Sequence, residues 1–137
     1  MLKYRLYQNK NSKSKCYGKY YARAAHEETY DLVKLSEHMA NHNSPFSKGT
    51  IYGVLKDMVA CVNELCLDSK KVKLDGLAIF SLGLKSTGTV TPDQFNAGKN
   101  ITSAHVNALG IGEFSKRQLD LTVKYGEMAL YGGGQGD

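Results

Sequence analysis

The first 24 residues contain no aspartate or glutamate, although the 137-residue chain has 13 acidic and 18 basic side chains. Seven of the basic residues lie in that acid-free segment: Lys3, Arg5, Lys10, Lys13, Lys15, Lys19 and Arg23. In the rest of the chain the acidic residues outnumber the basic ones, so the formal net charge of +5 comes from this segment alone. The asymmetry predicts an anionic partner for the N-terminal segment. The alternative is a solvated basic face that only keeps the protein soluble.

Long apolar runs and a regular cysteine pattern are also absent. No stretch of about 18 apolar residues is present, so we expect no membrane-spanning helix. The N-terminus alternates and carries charges instead of an apolar signal-peptide core, so we expect no secretion. The three cysteines (Cys16, Cys61 and Cys66) are an odd number without regular spacing, which does not make a disulfide framework. A reduced, cytoplasmic compartment fits best.

The sequence also lacks a recognisable catalytic constellation. His38 and His42 lie four residues apart on a predicted helix, a spacing that can chelate zinc, but no acid completes a His-Glu-x-x-His motif. His26 and His105 are isolated, and no carboxylates form a convergent pair. The glycines do not form a phosphate-binding loop before a helix. We therefore predict no enzyme activity, cofactor, metal or small-molecule substrate.

Periodicity predicts a mixed order of strands and helices. β-favouring residues flank a polar stretch and predict an antiparallel hairpin near the N-terminus. Thr29 and Ser47 are candidate N-caps for two helices. Alternation then predicts three strands, with a polar, exposed excursion between the second and third, and Ser115 begins a last helix. The predicted segments are a hairpin at 3–8 and 17–25, helices at 31–41, 47–67 and 115–124, strands at 72–75, 77–84 and 101–109, and the excursion at 85–100.

The second predicted helix has a wide apolar stripe. It runs through Ile51, Val54, Leu55, Met58, Val62 and Leu65, and Val59 and Cys66 extend it. Such a stripe is typical of a helix packed on two sides, as at a dimer interface. A chain this short cannot bury the stripe alone, so we predict a homodimer.

Residues 30–125 resemble the HU/IHF family of bacterial histone-like DNA-binding proteins. The matching residues are Leu32, Leu35, Ser47-Lys48, the stripe of the second helix, the run Lys71–Phe80 with its Val-x-Leu-x-Gly-x-x-x-Phe spacing, and Phe114–Leu119. The N-terminal hairpin is similar to that of an HU-related subgroup with extra strands. The resemblance implies an α+β, IHF-like/HU-like fold and an intertwined dimer. Its parts would be two N-terminal helices, a three-stranded antiparallel sheet with a β-arm excursion, a C-terminal helix and the added hairpin.

The domain bounds follow from this resemblance. We predict a single HU-like DNA-binding domain over residues 1–125, in which 1–25 form the basic hairpin and 30–125 the core. Residues 126–137 are predicted to be a flexible, glycine-rich tail.

The excursion departs from the family pattern. Typical members carry a long basic arm with an Arg-Asn-Pro-x-Thr-Gly motif, whose proline wedges between base pairs. This chain lacks the motif, and its excursion carries only Lys85 and Lys99 against Asp93. Pro92 or Phe95 is a possible minor-groove wedge. A buried Phe95 that anchors the excursion on the core is the favoured alternative.

We predict from these patterns a cytoplasmic, nucleoid-associated protein that binds double-stranded DNA with little sequence specificity. Counter-ion release by lysine and arginine would supply most of the affinity. One alternative is an HU-fold protein-interaction module with reduced or lost DNA binding; another is single-stranded nucleic-acid binding through the hairpin tyrosines Tyr4, Tyr7, Tyr17, Tyr20 and Tyr21. The predicted DNA-binding residues are Lys3, Arg5, Lys10, Lys13, Lys15, Lys19, Arg23, Lys85, Lys99, Lys116 and Arg117.

Overall fold

A computed structural model of the chain describes residues 1–132, and this part has a mixed α+β architecture with four helices and two three-stranded sheets. The predicted α+β class is confirmed. The helices are α1 (Leu32–Ala40), α2 (Lys48–Leu67), α3 (Ala97–Asn100) and α4 (Lys116–Thr122), with 3₁₀ turns at Pro92–Gln94 and Gly112–Phe114. The strands are β1 (Leu2–Gln8), β2 (Tyr20–Ala24), β3 (Val72–Leu74), β4 (Ala78–Ser86), β5 (Ile101–Gly110) and β6 (Tyr125–Glu127).

The chain divides into two compact units. Of the described residues, the first unit combines Met1–Tyr30 with residues 120–132, and the second is Asp31–Leu119. The predicted tail boundary at residue 126 falls inside β6, because that strand pairs with β1. Residues 133–137 of the predicted tail lie outside the described residues.

The first unit is built on a three-stranded sheet with β1 in the centre. β2 pairs with β1 antiparallel, which places Arg5 opposite Arg23 and Tyr7 opposite Tyr21. β6 pairs with β1 in parallel on the other side, with Leu2 opposite Tyr125. The predicted hairpin is therefore present, and β6 adds a strand to it that periodicity did not reveal.

The helices of the second unit begin at side-chain caps. The predicted cap Thr29 is not used for α1; Asp31 accepts a hydrogen bond of 2.9 Å from the backbone N–H of Lys34 instead. Ser47 caps α2 as predicted, accepting from the backbone N–H of Thr50 at 3.2 Å. Among the described residues, no helix is both long enough and apolar enough to cross a bilayer.

The second sheet runs β3-β4-β5, all antiparallel. Helix α2 covers the sheet near the start of β4, where the Cys66 thiol lies 3.8 Å from the carbonyl oxygen of Phe80. Cys66 and Ala78 are buried there, and Ile51, in the first turn of α2, is also buried. Cys61, five residues before Cys66 on the same helix, is exposed, so the two thiols lie on different faces as the spacing predicted.

The close packing at Gly110 gives a prediction about stability. A Cβ atom at Gly110 would overlap the backbone carbonyl oxygen of Phe114 and lie 3.1 Å from its carbonyl carbon. Because backbone cannot swing aside as a side chain can, we expect Gly110→Ala to destabilise the fold by about 1–3 kcal/mol. Gly49, in the first turn of α2, has open space around a Cβ, so Gly49→Ala is the matched control and should change stability by less than about 1 kcal/mol. Chemical denaturation measures both, and equal effects would contradict the packing argument.

Candidate nucleic-acid interface

The segment between β1 and β2 is an ordered loop, Asn9–Lys19. Its ends are joined by hydrogen bonds from Asn9 N–H to Lys19 C=O (2.9 Å) and from Gly18 N–H to Asn9 C=O (2.8 Å). Inside it, the Asn9 side chain accepts from the backbone N–H of Asn11 at 2.9 Å, and the Asn11 side chain accepts from that of Lys13 at 3.1 Å. Such Asx turns fix the backbone without helix or sheet. Together these bonds give the loop a defined shape.

This loop carries the four predicted lysines of the hairpin: Lys10, Lys13, Lys15 and Lys19. All four are exposed, and across residues 1–132 none of their ammonium groups has a hydrogen bond or an ion pair. No acid lies in the loop. The loop therefore offers four mobile positive charges on a fixed backbone, which suits contact with a regular row of phosphates.

The two hairpin arginines lie directly opposite each other, Arg5 on β1 and Arg23 on β2. Like charges at opposed positions destabilise a sheet. Each guanidinium is held by another side chain: Arg23 lies over the ring of Tyr7, 4.0 Å from its centroid, and Arg5 donates to the Met128 sulfur at 3.2 Å. Neither contact neutralises the positive charge of a guanidinium group. An anion bound beside Arg5 and Arg23 would therefore reduce the repulsion between them.

Lys3 differs from the other cations of the segment because it has an acidic partner. Its ammonium group donates a hydrogen bond to the Glu27 carboxylate. This hydrogen bond, with the attraction between the two charges, lowers the pKa of Glu27. Lys3 is thus less available to a phosphate than the loop lysines.

The Lys3–Glu27 pair predicts a pH effect with a defined sign. A lowered pKa in the folded state means that the ion pair stabilises the fold above the ordinary glutamate range and stops doing so as the pH falls through the lowered value. We expect Lys3→Met to raise the pKa of Glu27 toward its ordinary range. An NMR titration of the Glu27 carboxyl carbon measures this, and an unchanged midpoint would show that the pair does not form in solution.

The tyrosines of the hairpin mainly contact one another and their neighbours. The Tyr7 and Tyr21 ring centroids are 6.0 Å apart, and Tyr20 meets Tyr131 edge-on at 5.0 Å. A hydrogen bond with the Cys16 thiol, helped by burial, raises the pKa of Tyr21. These contacts support sheet packing for Tyr7, Tyr20 and Tyr21 and leave Tyr17 as the most exposed ring of the five.

The predicted excursion is a short, closed cap on the β4–β5 ribbon. Thr87 and Asn100 join its ends: the Thr87 N–H donates to the Asn100 C=O at 2.7 Å, and the Asn100 amide donates to the Thr87 hydroxyl at 2.9 Å. Pro92 is exposed at the start of a 3₁₀ turn. The favoured prediction of a buried Phe95 is wrong, since 42% of the residue is exposed. The turn ends at Phe95 and leaves the ring outside the core.

The remaining predicted residues lie in the second unit. Lys85 is near the end of β4 and Lys99 in α3, both exposed, with Asp93 between them in sequence. Lys116 and Arg117 begin α4, where Ser115 accepts from the N–H of Gln118 at 3.4 Å. The structure thus brings the first seven predicted cations together on one hairpin and places the other four elsewhere, at the ribbon cap and the start of α4.

Sequence reasoning missed three residues that contribute to this surface. Asn9 and Asn11 order the loop, and their Asn-x-Asn spacing was a usable signal for consecutive Asx turns. Met128 holds Arg5, but it follows a strand with no clear pattern, so nothing in the sequence pointed to it. Across residues 1–132, no three His, Cys, Asp or Glu side chains converge as metal ligands.

Comparisons with known proteins found a family model that matches the sequence and a solved structure that resembles the fold. The sequence model described as "HU-HIG: HU domain fused to wHTH, Ig, or Glycine-rich motif" matches residues 1–120. A crystal structure of a candidate bacterial DNA-binding protein from Bacteroides vulgatus ATCC 8482 superposes with a TM-score of 0.65 at 16% identity. The superposition covers 93% of this chain and 48% of that one, so this chain spans about half the length of that protein. No curated protein matches the chain.

Proposed function

This chain belongs to the HU-HIG family of HU domains fused to wHTH, Ig or glycine-rich motifs, and from that premise we propose that it binds double-stranded DNA with little sequence preference. In this proposal it is a nucleoid-associated, architectural protein of the bacterial cytoplasm that acts as a homodimer and carries out no catalysis. The DNA-binding description of the Bacteroides protein that shares its fold agrees with the proposal.

The ordered basic loop is the observation that carries the proposal. Lys10, Lys13, Lys15 and Lys19 project from one fixed loop without acidic neighbours. The opposed pair of Arg5 and Arg23 adds charge on the adjoining strands. Lysines without partners supply counter-ion release, which is independent of base sequence. The expected binding is therefore strong at low salt and weakly selective.

Apolar surface on the second unit supports the homodimer. Phe80 on β4 lies next to Cys66 of α2, but the same face farther along the ribbon is bare: Leu84 is 59% exposed and Val106 66% exposed. On α2, Val54 is 64% exposed. Leu84 and Val106 are neighbours on one face of the ribbon, and soluble monomers rarely leave large contiguous apolar patches in water. A second copy with the same bare faces would cover them symmetrically.

The cap of the ribbon favours one alternative function. Its charged side chains are Lys85, Asp93 and Lys99, a net of only +1, and it shows no basic arm that would wrap a duplex. An HU-fold module that binds another protein would need no such arm. In that case the basic loop would bind an acidic protein surface or nothing.

The salt dependence of binding tests the proposal. A dimer with two basic hairpins should contact about six to ten phosphates, so log affinity for a random-sequence duplex should fall against log salt with a slope of roughly −5 to −9. Fluorescence anisotropy at several salt concentrations measures this slope. A competing duplex of different sequence should displace the probe equally well. Absence of duplex binding at low salt, or a duplex affinity that does not change with salt, would favour the protein-interaction module.

A further inference from the structure

Two histidines converge at the end of α1. His38 lies in the last turn of the helix, and His42 lies in the turn that follows. Their Nε2 atoms are 3.2 Å apart, their ring centroids are 4.7 Å apart, and the ring planes are inclined by 60°. Both residues are exposed. The two ring nitrogens therefore lie close enough for one ion to contact both, on side chains that solvent can reach.

The 3.2 Å separation is also the separation of two ligands on one metal ion. Imidazole nitrogens bind Zn²⁺ at about 2.0–2.1 Å in tetrahedral geometry, which places two such nitrogens about 3.3 Å from each other. Without metal, the same separation is satisfied by a hydrogen bond in which one ring donates and the other accepts. A metal ion would replace the shared proton, and the donating ring would move that proton from Nε2 to Nδ1. No proton is then gained or lost.

The backbone keeps the pair in place. The N–H of His42 donates to the carbonyl oxygen of Met39 at 3.1 Å, so the chain stays turned for one more residue after the helix. Asn43 then adopts a positive φ of 58°, a conformation that asparagine tolerates better than most residues, and Pro45 follows. The helix C-terminus carries partial negative charge, which favours a cation at this position.

We propose that His38 and His42 form a bidentate site for a divalent transition metal of the kind that imidazole prefers, such as zinc, copper or nickel. The site shares no residue with the basic loop, and the proposal does not depend on nucleic-acid binding. Two ligands leave two positions of a tetrahedral ion open. Water or a donor from another molecule would occupy them, so the ion could join this helix end to a second donor group.

Zinc binding to the full chain tests this site. The protein is prepared without a histidine tag, with Cys16 and Cys61 replaced by serine to remove the accessible thiols. We expect one ion per chain, measured by competition with a zinc-sensitive dye at pH 7.5. His38→Ala and His42→Ala should each weaken binding by about a hundredfold, because either change leaves a single imidazole and removes the chelate. NMR should show the ring signals of both histidines shifting together on titration.

Two further variants separate the proposed site from general histidine binding. His26→Ala and His105→Ala remove the other two histidines of the chain, and both should leave zinc affinity unchanged. Circular dichroism checks that His38→Ala and His42→Ala remain folded. Equal zinc affinity in the His38→Ala variant and the parent protein would overturn the proposal, as would loss of binding in the His26→Ala or His105→Ala variant. In either case the 3.2 Å contact is only a hydrogen bond between rings.

Discussion

Replacing Lys10, Lys13 and Lys15 together with glutamine weakens binding to duplex DNA by at least about a hundredfold near 0.1 M salt. The three lysines lie in the ordered loop Asn9–Lys19 and have no partner among residues 1–132. In a dimer the change removes six phosphate contacts, so the salt slope should become shallower by up to about 5. Fluorescence anisotropy with a random-sequence duplex measures both quantities. The loop backbone should keep its shape, because Asn9 and Asn11 hold it and the three substituted side chains are exposed.

The matched control removes the same charge from another part of the chain. Lys56 donates to the hydroxyl of Tyr52 at 3.3 Å, and Lys70 and Lys73 form ion pairs with Asp68 and Asp75. The triple change of Lys56, Lys70 and Lys73 to glutamine should reduce affinity far less than the change in the loop. If both triple variants lose affinity equally, net charge and not the hairpin controls binding. If neither loses affinity, the hairpin does not face the duplex.

Val106→Asp dissociates the proposed dimer. Val106 lies opposite Leu82 on the bare apolar face of the ribbon. A second copy that covers this face would bury one unpaired carboxylate from each chain, at about 3 kcal/mol or more apiece. The dimer dissociation constant should therefore rise at least a hundredfold. Sedimentation should show the parent protein at twice the 15.1 kDa chain mass and the variant at the chain mass or unfolded.

The neighbouring position provides the control for this change. Asn107 lies opposite Ser81, and it points to the other face of β5 because side chains alternate along a strand. Asn107→Asp should leave the dimer intact. The thermal midpoint of the parent protein should also rise with protein concentration, as it does for an obligate dimer. A parent protein that sediments as a single chain, with a midpoint independent of concentration, would exclude the homodimer.

Local signals in the sequence located most elements of the second unit. Ser47 marked the start of α2 because its hydroxyl can satisfy a free N–H, and the structure uses it in that way. The alternation after Lys71 predicted β3 and β4, with Gly76 at a positive φ of 79° in the turn between them. These features depend on residues close in sequence, so periodicity and capping were enough to find them. The cluster of seven cations was likewise visible from composition alone.

Features that depend on distant residues were not predictable in the same way. β6 has three residues, one of them Gly126, and forms only because β1 offers an edge to it. The N-cap of α1 is Asp31 and not the predicted Thr29, two residues earlier. The helix begins directly after Asp31 because the Asp31 side-chain oxygen reaches the backbone N–H of Lys34. We expected Phe95 to be buried because its side chain is apolar. It lies in the closed cap of the ribbon, outside the core, and 42% of it is exposed. Each of these outcomes depends on tertiary contacts.

The parallel pairing of β1 with β6 sets an order for synthesis on the ribosome. β1 is synthesised before Asp31–Leu119, but its second neighbour comes from residues 125–127, after that whole stretch has been made. Until then one edge of β1 has unpaired N–H and C=O groups, a site where nascent chains can associate wrongly. The basic hairpin therefore completes its sheet only after Asp31–Leu119 has been made, and a chain shortened before residue 125 would keep that edge open permanently.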